Sequence, residues 1–162
     1  MTEYTSPVPM PALDAIAPEP YRGIYGMPMF PTIPTADLAE SKDFWLHGLG
    51  FIDLFSIPER LTHLRRWAFQ DVLLVPGEPG PTTALTLSFS CVPAQLDEVV
   101  ARCEELRPGC TSGPEEKPWN SLELTIETPE HVRVVFTAAR PIDPDSAQAA
   151  SLRAVGFDIP RG

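Results

Sequence analysis

Between Thr83 and Cys91 the chain alternates strictly, with Leu85, Leu87 and Phe89 on one side and Ala84, Thr86, Ser88 and Ser90 on the other. A period of two predicts a half-buried strand. The period then changes. Leu96, Val99, Val100, Cys103 and Leu106 share a helical stripe that Pro108-Gly109 stops. Alternation returns over Ser121–Glu127, with Leu122, Leu124 and Ile126 inward and Glu123 and Glu127 opposite. Val132–Thr137 closes the series, and a short strand is expected near Gly113–Lys117.

The first half of the chain carries the same order. Met27–Thr35 reads as a strand whose Pro28, Pro31 and Pro34 suit an edge or a bulge. Asp37 caps a helix, and Glu40, three residues on, fits a capping box. Leu38, Trp45 and Leu49 share one face of that helix, which Gly48 and Gly50 end. Three short runs follow, Phe51–Ile57, His63–Gln70 and Val72–Val75. The loop Pro76–Pro81 then separates the halves. The architecture therefore repeats with a period of about 55 residues, which predicts an α+β fold of two βαβββ modules, 27–76 and 82–138. Each helix must cover the apolar face of its own sheet and leave the other face free. Two such sheets side by side curl into an open, cup-shaped half-barrel with the helices outside.

The ends differ. Residues 1–26 hold Pro7, Pro9, Pro11, Pro18 and Pro20 and read as an extended arm. Residues 139–162 form an appendage with a short helix at 146–155, capped by Asp145 or Ser146 and stopped by Gly156. The 162 residues suit one domain. A net charge of −10 opposes nucleic-acid binding, which needs clustered cations. No apolar run approaches the roughly 18 residues of a membrane span. The N-terminus has neither a basic start nor a continuous apolar stretch, so no secretory signal is expected and the cytoplasm is the expected location. Cys91, Cys103 and Cys110 are odd in number with no paired motif, which argues against a disulfide framework. No Walker loop, nucleophile elbow or dinucleotide fingerprint is present.

Three stretches carry a resemblance. Ile33 to Trp45, followed by Leu49-Gly50-Phe51, is similar to the opening signature of the glyoxalase/bleomycin-resistance superfamily, the vicinal oxygen chelate proteins. Pro118-Trp119-Asn120-Ser121-Leu122-Glu123 looks like a strand entry of the bleomycin-resistance branch. Thr128-Pro129-Glu130-His131 and the strand after it resemble that superfamily's last turn, with Thr128 and His131 departing from Asp and Gly. His131 is read as a turn residue, and the three histidines fall on separate elements.

In metal-using members the resemblance implies ligands at positions that fall here on Phe30, near Leu73, near Ala84 and on Val135. None of these offers the N, O or S donor that a divalent ion needs, so neither a metal nor any other cofactor is expected. The free faces then carry the chemistry. Alternation places Phe30, Thr32, Thr86, Ser88, Arg133 and Val135 toward the cavity. Trp67 and Phe69 share a face, Trp119 and Phe55 suit the rim, and Glu123 faces the concave side or solvent. Trp45 reads as core, whereas Trp67 fits core and site equally. Such walls suit a flat, partly aromatic or cationic molecule. The resemblance implies that relatives of this metal-free kind bind antibiotics and sequester them, two sites per homodimer, and that such dimers often exchange N-terminal arms through proline-rich hinges. The expectation is therefore a small-molecule binding protein of drug self-resistance. The alternative is a cofactor-independent isomerase, cyclase or lyase on a polyketide-like substrate, with Glu123, Glu127 or Arg133 as its acid, base or oxyanion group.

Overall fold

The computed structural model describes residues 14–16, 19–23, 30–67, 70–80, 85–154 and 159. Expectations that fall on Met27–Met29, Phe69, Thr83, Ala84 and Gly156 lie outside the described residues.

The first module runs β1 (Thr32–Thr35), α1 (Leu38–Asp43), β2 (Ile52–Ile57), β3 (Leu61–Arg65) and β4 (Asp71–Pro76). Its sheet has the order β1-β4-β3-β2, with β1 parallel to β4 and the other pairs antiparallel. The second module runs β5 (Thr86–Cys91), α2 (Leu96–Leu106), β6 (Thr111–Lys117), β7 (Ser121–Glu127) and β8 (Arg133–Ala139). Its order, β5-β8-β7-β6, repeats the first. The fold is α+β, two βαβββ modules whose sheets are not closed on one another, in keeping with an open half-barrel. Among the described residues no strand of one sheet pairs with a strand of the other. A further helix, α3 (Ala147–Ala154), begins after Ser146, whose hydroxyl accepts from Ala149 N at 3.1 Å. No helix among the described residues is long and apolar enough to cross a membrane.

Local chemistry sets the element ends. Asp37 Oδ1 accepts from Ala39 N and Glu40 N at 3.0 and 2.9 Å, satisfying two orphan donors of α1. The reciprocal half of the expected capping box is replaced, because Asp37 N donates to Thr35 Oγ1 at 3.2 Å. After Asp43 the helix widens into a π-helical turn, Phe44–Gly48, closed by Leu49 N donating to Phe44 O. The extra residue in that turn carries Trp45 into the core, where it is fully buried. Gly48 permits α2 to close on this turn, since a Cβ there would lie 3.2 Å from Cys103 Sγ.

β3 ends earlier than the His63–Gln70 run suggested. Arg66 N donates to Gln70 O and Gln70 N to Trp67 O, so the chain turns at Arg66 and Trp67 instead of continuing the ladder. Similarly, Phe30 and Pro31 precede β1, although Pro31 O still accepts from Leu73 N at 3.0 Å.

One apolar core joins the modules. The Trp45 ring meets Phe51 edge-on at 5.0 Å and Phe89 at 6.4 Å, and Phe89 reaches Phe136 at 6.2 Å. A buried polar link crosses the same boundary. The Glu130 carboxylate, just before β8, accepts from Ser41 Oγ at 2.8 Å and from Trp45 Nε1.

Candidate functional site

The strand registers decide which side chains share the uncovered face of each sheet. In the first sheet Ile33, Thr62, Leu64, Val72 and Leu74 are buried on the helix side. Their alternates form rows on the other side. Thr32, Leu73, His63 and Phe55 lie across from one another in successive strands, and Pro34, Val75 and Leu61–Ile57 make the next row. Phe55 is 48% exposed there. In the second sheet Phe89, Leu124, Ile126, Val134 and Phe136 face the core. The opposite rows are Thr86, Arg133 and Glu127; Ser88, Val135, Thr125 and Ser112; and Ser90, Thr137, Glu123 and Glu115. One free face is thus largely apolar and the other is rich in hydroxyl and charged groups.

A buried ionic cluster interrupts the apolar face. Asp71 and Arg65 are paired in register at the ends of β4 and β3. The Arg65 guanidinium donates from Nε to Asp71 Oδ1 and from Nη2 to Oδ2, both at 2.7 Å. His63 Nε2 donates to the same Oδ2 at 2.9 Å. His63, Arg65 and Asp71 are all less than a tenth exposed. Part of the cover comes from the backbone at Tyr21 and Gly23, since Arg65 Nη1 donates to Tyr21 O and Gly23 O, each at 2.6 Å. The rings of Phe30 and Phe55 lie 4.8 and 5.3 Å from the His63 ring. Buried charges persist when paired and hydrogen-bonded, and this cluster meets both conditions. The sequence reading missed it. The available signal was the two-residue spacing of His63 and Arg65, which puts both on one strand face.

The architecture can be set beside solved structures. No family model matches the sequence, and no curated protein matches it. Structures do. A lactoylglutathione lyase from Agrobacterium tumefaciens is 18% identical, covering 71% of this chain and 95% of its own, with a TM-score of 0.56. The bleomycin resistance determinant encoded on transposon Tn5 is 16% identical over 70% of this chain and 98% of its own, at 0.53. An antibiotic binding protein from Streptomyces sp. CB03234 is 20% identical over 72% and 98%, at 0.52. The chain has the vicinal oxygen chelate fold. At these identities the likeness speaks for the fold alone.

Within that fold, the positions expected to hold metal ligands carry other chemistry. Phe30 packs against His63, Leu73 sits on the free face between Thr32 and His63, and Val135 sits on the free face between Ser88 and Thr125. Ala84 lies outside the described residues. Side chains of carbon and hydrogen supply no donor, so these residues do not fit a divalent ion. His63 and Asp71 are close but already bonded to each other, and Asp71 is bonded to Arg65 as well. Among the described residues no three His, Cys, Asp or Glu side chains converge on one point.

The remaining sequence candidates separate. Thr32 and Phe55 lie on the first free face; Thr86, Ser88, Glu123, Arg133 and Val135 lie on the second. Trp119 is 53% exposed and donates from Nε1 to Glu123 Oε1 at 2.6 Å, so the two act as one unit at the end of β7. Trp67 does not join them. Because β3 stops at Arg65, the half-buried Trp67 faces a different hollow of about 310 Å³, together with Arg66, Leu49, Ile52, Val99 and Arg102. The Arg66 guanidinium lies 4.5 Å over the Trp67 ring and 4.6 Å over the Phe136 ring. Burial, the largest cause, lowers its pKa to about 10, and the charge of Arg102 adds to the shift. It stays protonated at neutral pH.

Proposed function

We propose that this protein binds and sequesters a small, flat, partly aromatic molecule on the free faces of its two sheets, without a metal. The observation that carries this reading is the division of labour between the faces. One offers Phe55, Leu73 and Val75 as apolar wall, while the other offers Thr86, Ser88, Thr125 and Arg133 as hydrogen-bonding groups. An apolar wall with a few oriented polar groups is what a ligand pocket of this chemistry needs. Carbon side chains at the ligand positions of metal-using relatives support the same reading. The structural neighbours include an antibiotic binding protein and a bleomycin resistance determinant, which suits a role in drug self-resistance in the cytoplasm. Each sheet presents its face without a facing sheet paired to it, so we propose a homodimer in which two chains complete two sites. The unit that folds this way is residues 27–138, with 1–26 as an arm and 139–162 as an appendage.

The test is a thermal-shift and tryptophan-fluorescence screen against glycopeptide, enediyne and quinone antibiotics. A binder saturates at two ligands per dimer and returns the ligand chemically unchanged. Phe55→Ala weakens binding about two- to tenfold, the scale of one aromatic contact. Unaltered affinity in that variant removes the first face from the site.

The His63–Asp71 pair favours a second reading, a cofactor-independent enzyme. A histidine whose Nε2 donates to a buried carboxylate keeps Nδ1 as the basic nitrogen, the arrangement of a general base. Among the structural neighbours, the lactoylglutathione lyase is an enzyme. Product detected by mass spectrometry, lost in His63→Gln, selects this reading over sequestration.

A further inference from the structure

We propose that the hollow at one end of the second sheet, between the start of β6, the end of β7 and the start of β8, takes the zwitterionic head of an α-amino acid. The inference rests on the reading that the free faces bind a small molecule, and it names the polar group of that ligand. The hollow has a volume of about 200 Å³, and its polar lining is Thr111, Ser112, Thr125, Glu127, His131 and Arg133. That is less than a drug-sized molecule needs and enough for a compact polar head. The rest of the lining, Gly109, Cys110 and Ile126, is uncharged, since burial holds the Cys110 thiol above its ordinary pKa.

The case rests on two opposite charges that do not satisfy each other. Glu127 and Arg133 are directly opposed in the antiparallel register of β7 and β8. Among the described residues Arg133 nevertheless makes neither a hydrogen bond nor an ion pair. Glu127 has its Oε1 3.5 Å from His131 Nδ1, in the turn between the two strands. That contact is not a hydrogen bond, because His131 Nδ1 is buried without a partner. Arg107 lines an adjoining hollow that Glu127 shares, and these two form no ion pair either. One carboxylate and one guanidinium therefore face the same hollow with hydrogen-bonding capacity left over.

Such a pair selects a ligand that carries both charges. A bare carboxylate would be drawn to Arg133 and repelled by Glu127, and a bare ammonium the reverse. An α-amino acid holds the two groups on one carbon, so they can reach neighbouring strands about 4.8 Å apart. Its carboxylate takes paired N–H donors from the Arg133 guanidinium, and its ammonium donates to Glu127. Ser112 and Thr125, cross-strand partners in the next row, carry hydroxyls with no hydrogen bond among the described residues. A hydroxyl can accept from the ammonium or donate to the carboxylate. Val135, opposite Thr125 on β8, continues the surface as carbon, and the body of the ligand lies there.

The full chain is titrated by calorimetry with L-phenylalanine, with phenethylamine, which lacks the carboxylate, and with 3-phenylpropionate, which lacks the ammonium. The amino acid is expected to bind at least tenfold more tightly than either analogue, because each analogue leaves one charged group of the site unpaired. Arg133→Gln and Glu127→Gln each lower the affinity for L-phenylalanine at least tenfold. Both residues are exposed, so the melting temperature stays unchanged. Arg140→Gln, which removes a cation paired with Glu116 outside the hollow, leaves that affinity unaltered. Three equal affinities, no binding of any of the three at millimolar concentration, or an L-phenylalanine affinity insensitive to Arg133→Gln or to Glu127→Gln overturns the proposal. If a ligand from the antibiotic screen still binds in any of these cases, the sheet-face reading stands and only the zwitterionic head is lost.

Discussion

At the scale of single residues, the side chains that matter most are buried charges. Asp71 accepts three hydrogen bonds, two from Arg65 and one from His63. Removing one partner of such a pair leaves an uncompensated charge, so Asp71→Ala is expected to cost about 3–5 kcal/mol by denaturant unfolding. A cost under about 1 kcal/mol would mean that Arg65 finds water instead. Glu130 behaves alike on a smaller scale. Glu130→Gln weakens two charge-assisted bonds and should cost about 1.5–3 kcal/mol. Neither cluster was legible in the sequence. The His63–Gln70 run took in His63 and Arg65 and left Asp71 in the break before Val72, and only the antiparallel register of β3 and β4 brings the three together. Glu130 was legible as a turn residue, but its bonds to Ser41 and Trp45 span more than 80 residues of chain. By contrast, His131 was legible as a turn residue because its place in the motif calls for a positive φ, observed at 63°.

At the scale of elements, the sequence was most informative where a period persisted. α2 and β7 are found at the bounds their patterns gave, because a stripe of Leu96, Val99 and Cys103 or an alternation of Leu122, Leu124 and Ile126 has only one face to bury. Boundaries failed where a local turn competed with the pattern. Trp67 looked like a continuation of β3, yet the Arg66–Gln70 bonds bend the chain and carry its ring to another hollow. The π-helical turn was equally invisible, since one inserted residue changes no composition. The N-cap was visible and its worth can be checked. Asp37→Ala removes the acceptor for two backbone donors and should cost about 1 kcal/mol, with Asp37→Ser retaining most of the stability. Equal losses in the two variants would show that the cap is not what ends α1.

At the scale of the whole molecule, two sheets share one core and turn hydrogen-bonding and apolar faces outward from it. The core has a titration signature. Burial pushes the Cys91 thiol up to about 11 and the Cys103 thiol up to about 12, from an ordinary 9.0. A group that holds its proton more tightly when folded contributes stability that is complete below the unfolded pKa and is lost as pH rises. The unfolding free energy is therefore expected to fall between pH 9 and 10. Above about 10 Arg66 begins to act in the opposite sense, because the folded state releases its proton first. A flat profile from pH 8 to 10 would contradict the burial of these thiols. The cup-like architecture itself was legible from the repeat of strand, helix and three strands. The chemistry of its faces was legible only residue by residue, from alternation.

The central claim, that the free faces capture a ligand without metal, is tested most directly by one titration. The protein is treated with a chelator, dialysed and titrated with the best ligand from the antibiotic screen, and the ligand is then recovered and weighed by mass spectrometry. The account predicts undiminished affinity in the chelator, no gain on adding zinc, nickel or iron, and a ligand of unaltered mass. Binding that returns only with a divalent ion, or a ligand recovered as product, would contradict it.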